Sequence, residues 1–172
     1  MSFVARAVWC VPVLAMTACN FSFSTGSGPN YSDLESQITD ELNTAYAPIS
    51  QKVSSVTCPR SQSDPKPGDT FVCDADVEDV RVRVEVTVED DEGNVRFSTL
   101  DILFDLAGTA QTLEKKIAAN VGFPVTVDCG KGLEVVPVGK TFTCTAVDRK
   151  FVEKTVEVKA GRDGQDDWRI LD

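Results

Sequence analysis

Two stretches of the chain place hydrophobic residues along one side of a helix. Their hydrophobic positions are Leu34, Ile38, Leu42 and Tyr46 in the first stretch, and Leu106, Ala110, Leu113, Ile117 and Val121 in the second. A repeat of three to four residues aligns side chains on one face of an α-helix. The remaining positions are mostly polar, so each helix is predicted to lie on a sheet with its outer face in water. Ser32 and Glu35 have the spacing of a capping box, which predicts the start of the first helix.

The clearest strand lies between Val80 and Val88, where valines alternate with charged or polar residues. This strict period of two predicts one buried and one solvated face. Residues 89–94 are predicted to form a turn, and Val95–Thr99 the returning strand. A weaker alternation starts at Val152 and predicts the matching strand of the second half, with Lys154 at a bulge or with its ammonium group reaching out near an edge. Shorter strands are predicted at 53–58, 70–75, 124–129 and 141–147.

The two halves of the chain resemble each other at a shift of 71 residues. The motif Gly-x-Thr-Phe-x-Cys occurs at 68–73 and again at 139–144. Internal repeats decide how a fold is assigned, because each copy is one structural unit. We therefore predict an α+β tandem duplication with repeat units at 32–100 and 101–172. Each unit is predicted to be one helix packed on a small antiparallel sheet with one disulfide bond.

Four cysteines of these units are predicted to form the two disulfide bonds. Cys58 and Cys73 are 15 residues apart, and so are Cys129 and Cys144. Four cysteines permit three pairings. A duplicated unit that pairs its own cysteines favours Cys58–Cys73 and Cys129–Cys144. Closing a loop of about 15 residues stabilises a protein by about 3 kcal/mol, which matters for units small enough that the core alone is marginal.

The N-terminal residues 1–18 are predicted to be a signal peptide. Their apolar run, Ala7–Ala18, is shorter than the ~20 residues that span a bilayer, and it is typical of a secretory signal. The run ends in Met16-Thr17-Ala18-Cys19, which resembles the lipobox of bacterial lipoproteins, with Met16 where Leu is usual. That resemblance implies cleavage before Cys19 and acylation of Cys19. The Ser- and Gly-rich residues 19–31 are predicted to be a flexible tether.

The composition excludes several classes of function. The chain has no His, the commonest general base and metal ligand, which excludes Ser-His-Asp catalysis and the usual zinc sites. Its net charge of −10 argues against a nucleic-acid partner, which would need a basic patch. Acidic residues at 89–92 and 163–167 are interpreted as solvated turns rather than calcium sites. We predict no enzyme, no catalytic residue, no metal site and no cofactor.

The segment that joins the two halves is richer in apolar residues than a helix on a sheet needs. Its apolar members are Leu100, Ile102, Leu103, Phe104 and Leu106. One interpretation, which we favour, is that the segment packs the two units together. The other is that it lines an apolar groove that binds a lipid or a partner peptide.

The combination of these features resembles a known family. The lipobox, the tether, the helix, Val56-x-Cys58-Pro59, Gly-x-Thr-Phe-x-Cys and the valine-rich strand are similar to a small exported actinobacterial domain. That domain occurs in mycobacterial-type lipoproteins and is catalogued as a domain of unknown function, number four-three-three-three. The resemblance is close over 32–100 and looser over 101–172. It implies an α+β fold at the extracytoplasmic face of the cell membrane, and it brings no activity and no catalytic residues.

Three functions fit this sequence. The first is an exported, lipid-anchored protein of the cell envelope that acts as a non-enzymatic binding or interaction module. Its partners would be the membrane, through acylated Cys19, and an unknown envelope protein or lipid. The second is a carrier of lipids or other hydrophobic ligands with an apolar groove between helices and sheets. The third is a cystatin-like protease inhibitor, which would present an exposed wedge of loops.

Overall fold

The first half of the chain forms one helix followed by a four-stranded antiparallel sheet. The computed structural model describes residues 30–60 and 65–171. The elements of the first half are α1 (Tyr31–Tyr46), β1 (Val53–Thr57), β2 (Thr70–Val77), β3 (Val80–Val88) and β4 (Val95–Thr99). The strands lie in the order β1-β2-β3-β4. We call α1 and this sheet the first unit.

The second half has the same order of elements with two additional strands. One precedes its helix, and the other lies in sequence between the first and second strands of its four-stranded sheet. Its elements are β5 (Asp101–Asp105), α2 (Leu106–Val121), β6 (Thr126–Asp128), β7 (Leu133–Pro137), β8 (Thr141–Val147), β9 (Glu153–Lys159) and β10 (Asp167–Leu171). Strands β6, β8, β9 and β10 form a four-stranded antiparallel sheet in that order, and β5 pairs with β7. We call α2 with the four-stranded sheet the second unit, and the β5–β7 pair the central ribbon. The predicted mixture of helices and antiparallel sheet is confirmed.

Both predicted helices are present, and each buries its apolar face. In α1, Leu34, Ile38, Leu42 and Tyr46 are buried. Helix α2 buries Leu106, Leu113 and Ile117, and it ends at Gly122, whose φ of +79° is the left-handed conformation that Gly adopts most easily. The predicted capping box is wrong. The carboxylate of Glu35 accepts the backbone N–H of Cys58 at 2.9 Å, so it ties the helix to the end of β1 instead.

The valine-rich strand has the predicted two faces. Val82, Val84, Val86 and Val88 are at most 1% exposed, whereas the alternate residues face outward. The predicted turn at 89–94 is confirmed: the carboxylate of Asp90 accepts the backbone N–H groups of Glu92 and Asn94, both at 3.0 Å. These hydrogen bonds lower the pKa of Asp90, the side-chain bond from Asn94 contributing most. The acidic side chain of Asp90 therefore accepts hydrogen bonds from the backbone of its own turn.

The corresponding strand of the second unit is less well covered. Val156 and Val158 are buried, but Val152 is 49% exposed and Lys154, which lies on the same side of β9, is exposed. The predicted bulge at Lys154 is wrong, because the pairing of β9 with β8 continues without a shift from Glu153 to Lys159. The lysine needs no bulge, since its end of the sheet is open to water. A register shift occurs instead between β1 and β2.

The central ribbon separates two hydrophobic cores. On one face, Leu103 of β5 belongs to the core of the first unit, and Leu133 and Val135 of β7 pack against that core. On the opposite face, Phe104 and Val136 belong to the core of the second unit, and Ile102 packs against it. Alternate residues of a strand point to opposite faces, so a ribbon with apolar residues on both faces can fill two cores at once. The ribbon therefore joins the two units by packing against the core of each.

Candidate functional site: a groove beside the central ribbon

An open groove of about 430 Å³ lies where the central ribbon, α2 and the second sheet meet. Its lining comes from both halves of the chain, including the short 3₁₀ turn that follows α1. Its lining residues include Ile49, Ile102, Thr109, Thr112, Lys116 and Trp168. Small-molecule sites usually have volumes of about 300–1,000 Å³ and lie between packed elements. The groove has the volume of a site for a small ligand or a short peptide segment.

The structure divides the predicted apolar segment between the groove and the cores. Ile102, Leu103 and Phe104 line the groove, yet Leu103 and Phe104 are each only 7% exposed. Phe104 also packs against Phe142, with their ring centroids 4.9 Å apart. Most of the apolar surface of these two residues is therefore used inside the protein.

The other two members of the segment lie outside the groove lining. Leu100 is half-buried, and its backbone N–H donates to the carbonyl of Arg83 while its own carbonyl accepts from Val138, both at 2.9 Å. Leu106 is buried at the start of α2, where a Cβ placed on Gly130 would lie 3.5 Å from its side chain. These residues connect strands and helix, and they offer no surface to a ligand in the groove.

The polar residues of the groove include one lysine and three aspartates whose carboxylates accept backbone hydrogen bonds. Lys116 projects from α2 into the lining, and Asp105, Asp166 and Asp167 lie on the other walls. The carboxylate of Asp105 caps α2 by accepting two backbone N–H groups at 3.2 Å. Asp166 accepts the backbone N–H of Gly161 at 2.9 Å. The groove is thus lined by mixed apolar and polar groups on regular secondary structure.

Sequence reasoning missed an ion pair between a buried carboxylate and a half-exposed arginine at the junction of the first unit and the ribbon. The side chain of Asp101 is 3% exposed, and its carboxylate accepts Nη2, Nε and the backbone N–H of Arg83 at 2.6, 2.9 and 3.0 Å. The side-chain hydrogen bond from Arg83 is the main cause that lowers the pKa of Asp101. The isolated acid in the apolar run Leu100–Phe104 was the available signal.

The negative charge of Asp101 also acts on Tyr46, at the end of α1. Burial raises the pKa of Tyr46 to about 12, and the negative charge of Asp101 contributes to that rise. The phenol therefore stays neutral over the whole range in which the protein would work. The end of α1 therefore lies near the ion pair that joins β3 to the start of β5.

The predicted disulfide bonds are confirmed. Cys58 bonds to Cys73 and Cys129 to Cys144, each across 15 residues and with Cα atoms 4.2 Å apart. Cys73 faces Val84 of β3, and Cys144 faces Val156 of β9. Each bond therefore ties the segment after a short strand to the middle of its sheet, beneath the helix of that unit.

The predicted signal peptide at 1–18, the acylated Cys19 and nearly all of the tether at 19–31 lie outside the described residues. Within the part of the chain that is described, no helix is long and apolar enough to cross a membrane. These predictions therefore rest on the sequence.

The fold defines a protein of two helix-on-sheet units, each closed by a disulfide bond. A family described as Domain of unknown function (DUF4333) matches residues 14–93 of this chain. The match runs through α1, β1, β2 and β3, and it confirms a domain of unknown function over those residues. Comparisons with curated proteins and with solved structures return no match.

Proposed function

We propose that the protein is an exported, lipid-anchored component of the cell envelope that acts as a non-enzymatic binding module. The observation that carries the binding role is the groove beside the central ribbon, with its volume of about 430 Å³. Strand β5 of the central ribbon lines the groove, and the ribbon packs against both cores. The shape of the groove therefore depends on both units. A preorganised site loses little conformational entropy when it binds a partner.

Export is supported by the two disulfide bonds, because such bonds persist in oxidising compartments and are rare in the cytosol. Lipid anchoring is supported by the resemblance of residues 16–19 to a lipobox. Two acyl chains on one residue would give a stable anchor, whereas one chain would not. Intact-mass analysis of the membrane fraction should show diacylation in the wild type and none after Cys19→Ala. An unmodified wild-type mass would contradict the anchor.

A second candidate is a carrier of lipids or other hydrophobic ligands. Ile49, Ile102 and Trp168 favour it, since they place apolar side chains on the walls of the groove. Against it, Leu103 and Phe104 turn most of their surface into the cores. A peptide or polar headgroup fits the mixed lining better than an acyl chain alone.

Blocking the groove tests both candidates. Thr112 is exposed on α2 and lines the groove, while its neighbour Gln111 is exposed and lies outside the lining. We expect native mass spectrometry of the full chain from its own envelope to detect a bound polypeptide that is lost in Thr112→Trp and retained in Gln111→Trp. Bound acyl lipid with the same pattern would select the carrier. Equal occupancy in the two variants would contradict binding in the groove.

The two units are also proposed to be products of a tandem duplication. Their helices, disulfide bonds and strand orders correspond, although the β8–β9 turn spans residues 148–152 where the β2–β3 turn spans only 78–79. On this view the central ribbon was added where the copies meet.

A further inference from the structure

The second sheet exposes apolar and basic side chains at the end where the β8–β9 turn lies. Phe151 is 88% exposed, Val152 is 49% exposed and Phe123 is 45% exposed. Because Thr126 pairs with Val147, the segment that leads from Phe123 into β6 lies at the same end of the sheet as the β8–β9 turn. We call Phe123, Phe151 and Val152, together with the cations near them, the open end.

The β8–β9 turn holds Phe151 outward by a specific network of hydrogen bonds. The carboxylate of Asp148 accepts the backbone N–H groups of Lys150 and Val152 at 2.7 and 3.0 Å. The backbone N–H of Phe151 donates to the carbonyl of Asp148 at 3.1 Å. Phe151 has a φ of +61°, which is costly for a residue with a bulky side chain. The turn thus maintains a strained residue whose ring is in water.

Three cations lie within three residues of Phe151 along the sequence, in a chain whose net charge is −10. Arg149 and Lys150 precede Phe151, and Lys154 follows it on the inward side of β9; all three are exposed. The equivalent β2–β3 turn of the first unit presents Glu78 and Asp79 instead. A surface with negative charge would therefore be attracted by the turn of the second unit and repelled by that of the first.

We propose that the open end is a membrane contact, in which Phe151 enters the interfacial region of an anionic bilayer and the adjacent cations bind lipid headgroups. Aromatic rings are favoured at that depth, and each Lys or Arg near an anionic surface contributes attraction. Three exposed side chains offer much less than the roughly 800 Å² per partner of a stable protein interface. The contact would add to the acyl anchor but does not depend on it.

Tryptophan at each of the two turns tests this proposal. Phe151→Trp and Glu78→Trp place the probe at positive-φ positions of corresponding turns, with both native tryptophans replaced by Trp9→Phe and Trp168→Phe. The full chain is bound to vesicles of phosphatidylcholine and phosphatidylglycerol, with and without brominated acyl chains. We expect the emission at 151 to shift to shorter wavelength and to fall by about half with brominated lipid, since interfacial groups lie ~5–10 Å deep. The emission at 78 should not change.

Two further arms make the test decisive. Arg149→Ser and Lys150→Ser should each weaken vesicle association of the Cys19→Ser chain by about fivefold, and vesicles of phosphatidylcholine alone should remove most of the quenching. Equal quenching at 151 and 78, or none at 151, would overturn the proposal. It would also be overturned by a wavelength shift at 151 that follows protein concentration without vesicles, which would indicate self-association.

Discussion

The two units have the same strand order and disulfide pattern, but they differ in how completely their sheets are covered. In the first unit the inward residues of β3 remain buried from Val82 to Val88. In the second unit the inward side of β9 is open at Val152 and Lys154. A shared scaffold can thus form one closed unit and one with an exposed end. The exposed end is the surface on which the proposed membrane contact rests.

The largest effect is expected from the helix residues at the centres of the two cores. Ile38 is fully buried and Ile117 is 1% exposed. Ile38→Ala and Ile117→Ala should each lower the free energy of unfolding by about 3–4 kcal/mol, because both leave cavities beneath a helix. Urea unfolding followed by circular dichroism measures this loss. A cost below about 1 kcal/mol for Ile117→Ala would mean that the second core is loosely packed.

Removing each disulfide bond should have the next largest effect. Cys58→Ala with Cys73→Ala, and Cys129→Ala with Cys144→Ala, should each cost about 3 kcal/mol, since both bonds close loops of the same length. The midpoint of thermal unfolding reports the two losses. A large cost in one unit and none in the other would break the correspondence between the units.

Two of the ion pairs that involve arginine, Asp101–Arg83 and Glu157–Arg169, should differ in strength. The side chains of Asp101 and Arg83 are 3% and 48% exposed, whereas those of Glu157 and Arg169 are 21% and 71% exposed. Asp101→Asn should cost about 2 kcal/mol through its charged hydrogen bonds, and Glu157→Gln at most about 0.5 kcal/mol. Urea unfolding at neutral pH measures both values. Equal costs would contradict a special role for the Asp101–Arg83 contact.

The pH dependence of stability tests the contribution of Asp101 with a definite sign. Because folding lowers the pKa of Asp101, its contribution is complete above the ordinary carboxylate range and is lost as pH falls through the lowered value. Asp101→Asn should therefore lose less stability on acidification than the wild type. Unfolding midpoints measured between neutral pH and pH ~2 test this. A parallel loss in Asp101→Asn would contradict it.

The smallest expected effect is an increase in stability. Phe151 and Glu78 both have positive φ, at +61° and +50°, and Asn tolerates that conformation better than either residue. Phe151→Asn and Glu78→Asn should each stabilise the protein by up to about 1 kcal/mol. Only the first should weaken association with anionic vesicles. Destabilisation by Phe151→Asn would mean that the ring packs against the protein.

Local patterns predicted the helices, the long strand of the first unit and the cysteine pairs, because each has one buried face or a repeated spacing. The central ribbon was missed because its strands bury both faces, so the run from Leu100 to Leu106 shows no alternation. The groove and the Asp101–Arg83 contact depend on how distant segments meet. Val152 was expected to be buried because its position fits the alternation, and sequence does not report that the sheet is uncovered there.

The central structural claim is that the ribbon joins both cores into one cooperative body. It is tested most directly by placing Ile38→Ala in the first unit and following Trp168, which packs against the core of the second unit, with Trp9→Phe in the background. We predict that the urea midpoint of Trp168 fluorescence falls as far as the midpoint by circular dichroism, in one transition. A Trp168 midpoint that does not move, while the first unit unfolds earlier, would contradict the claim.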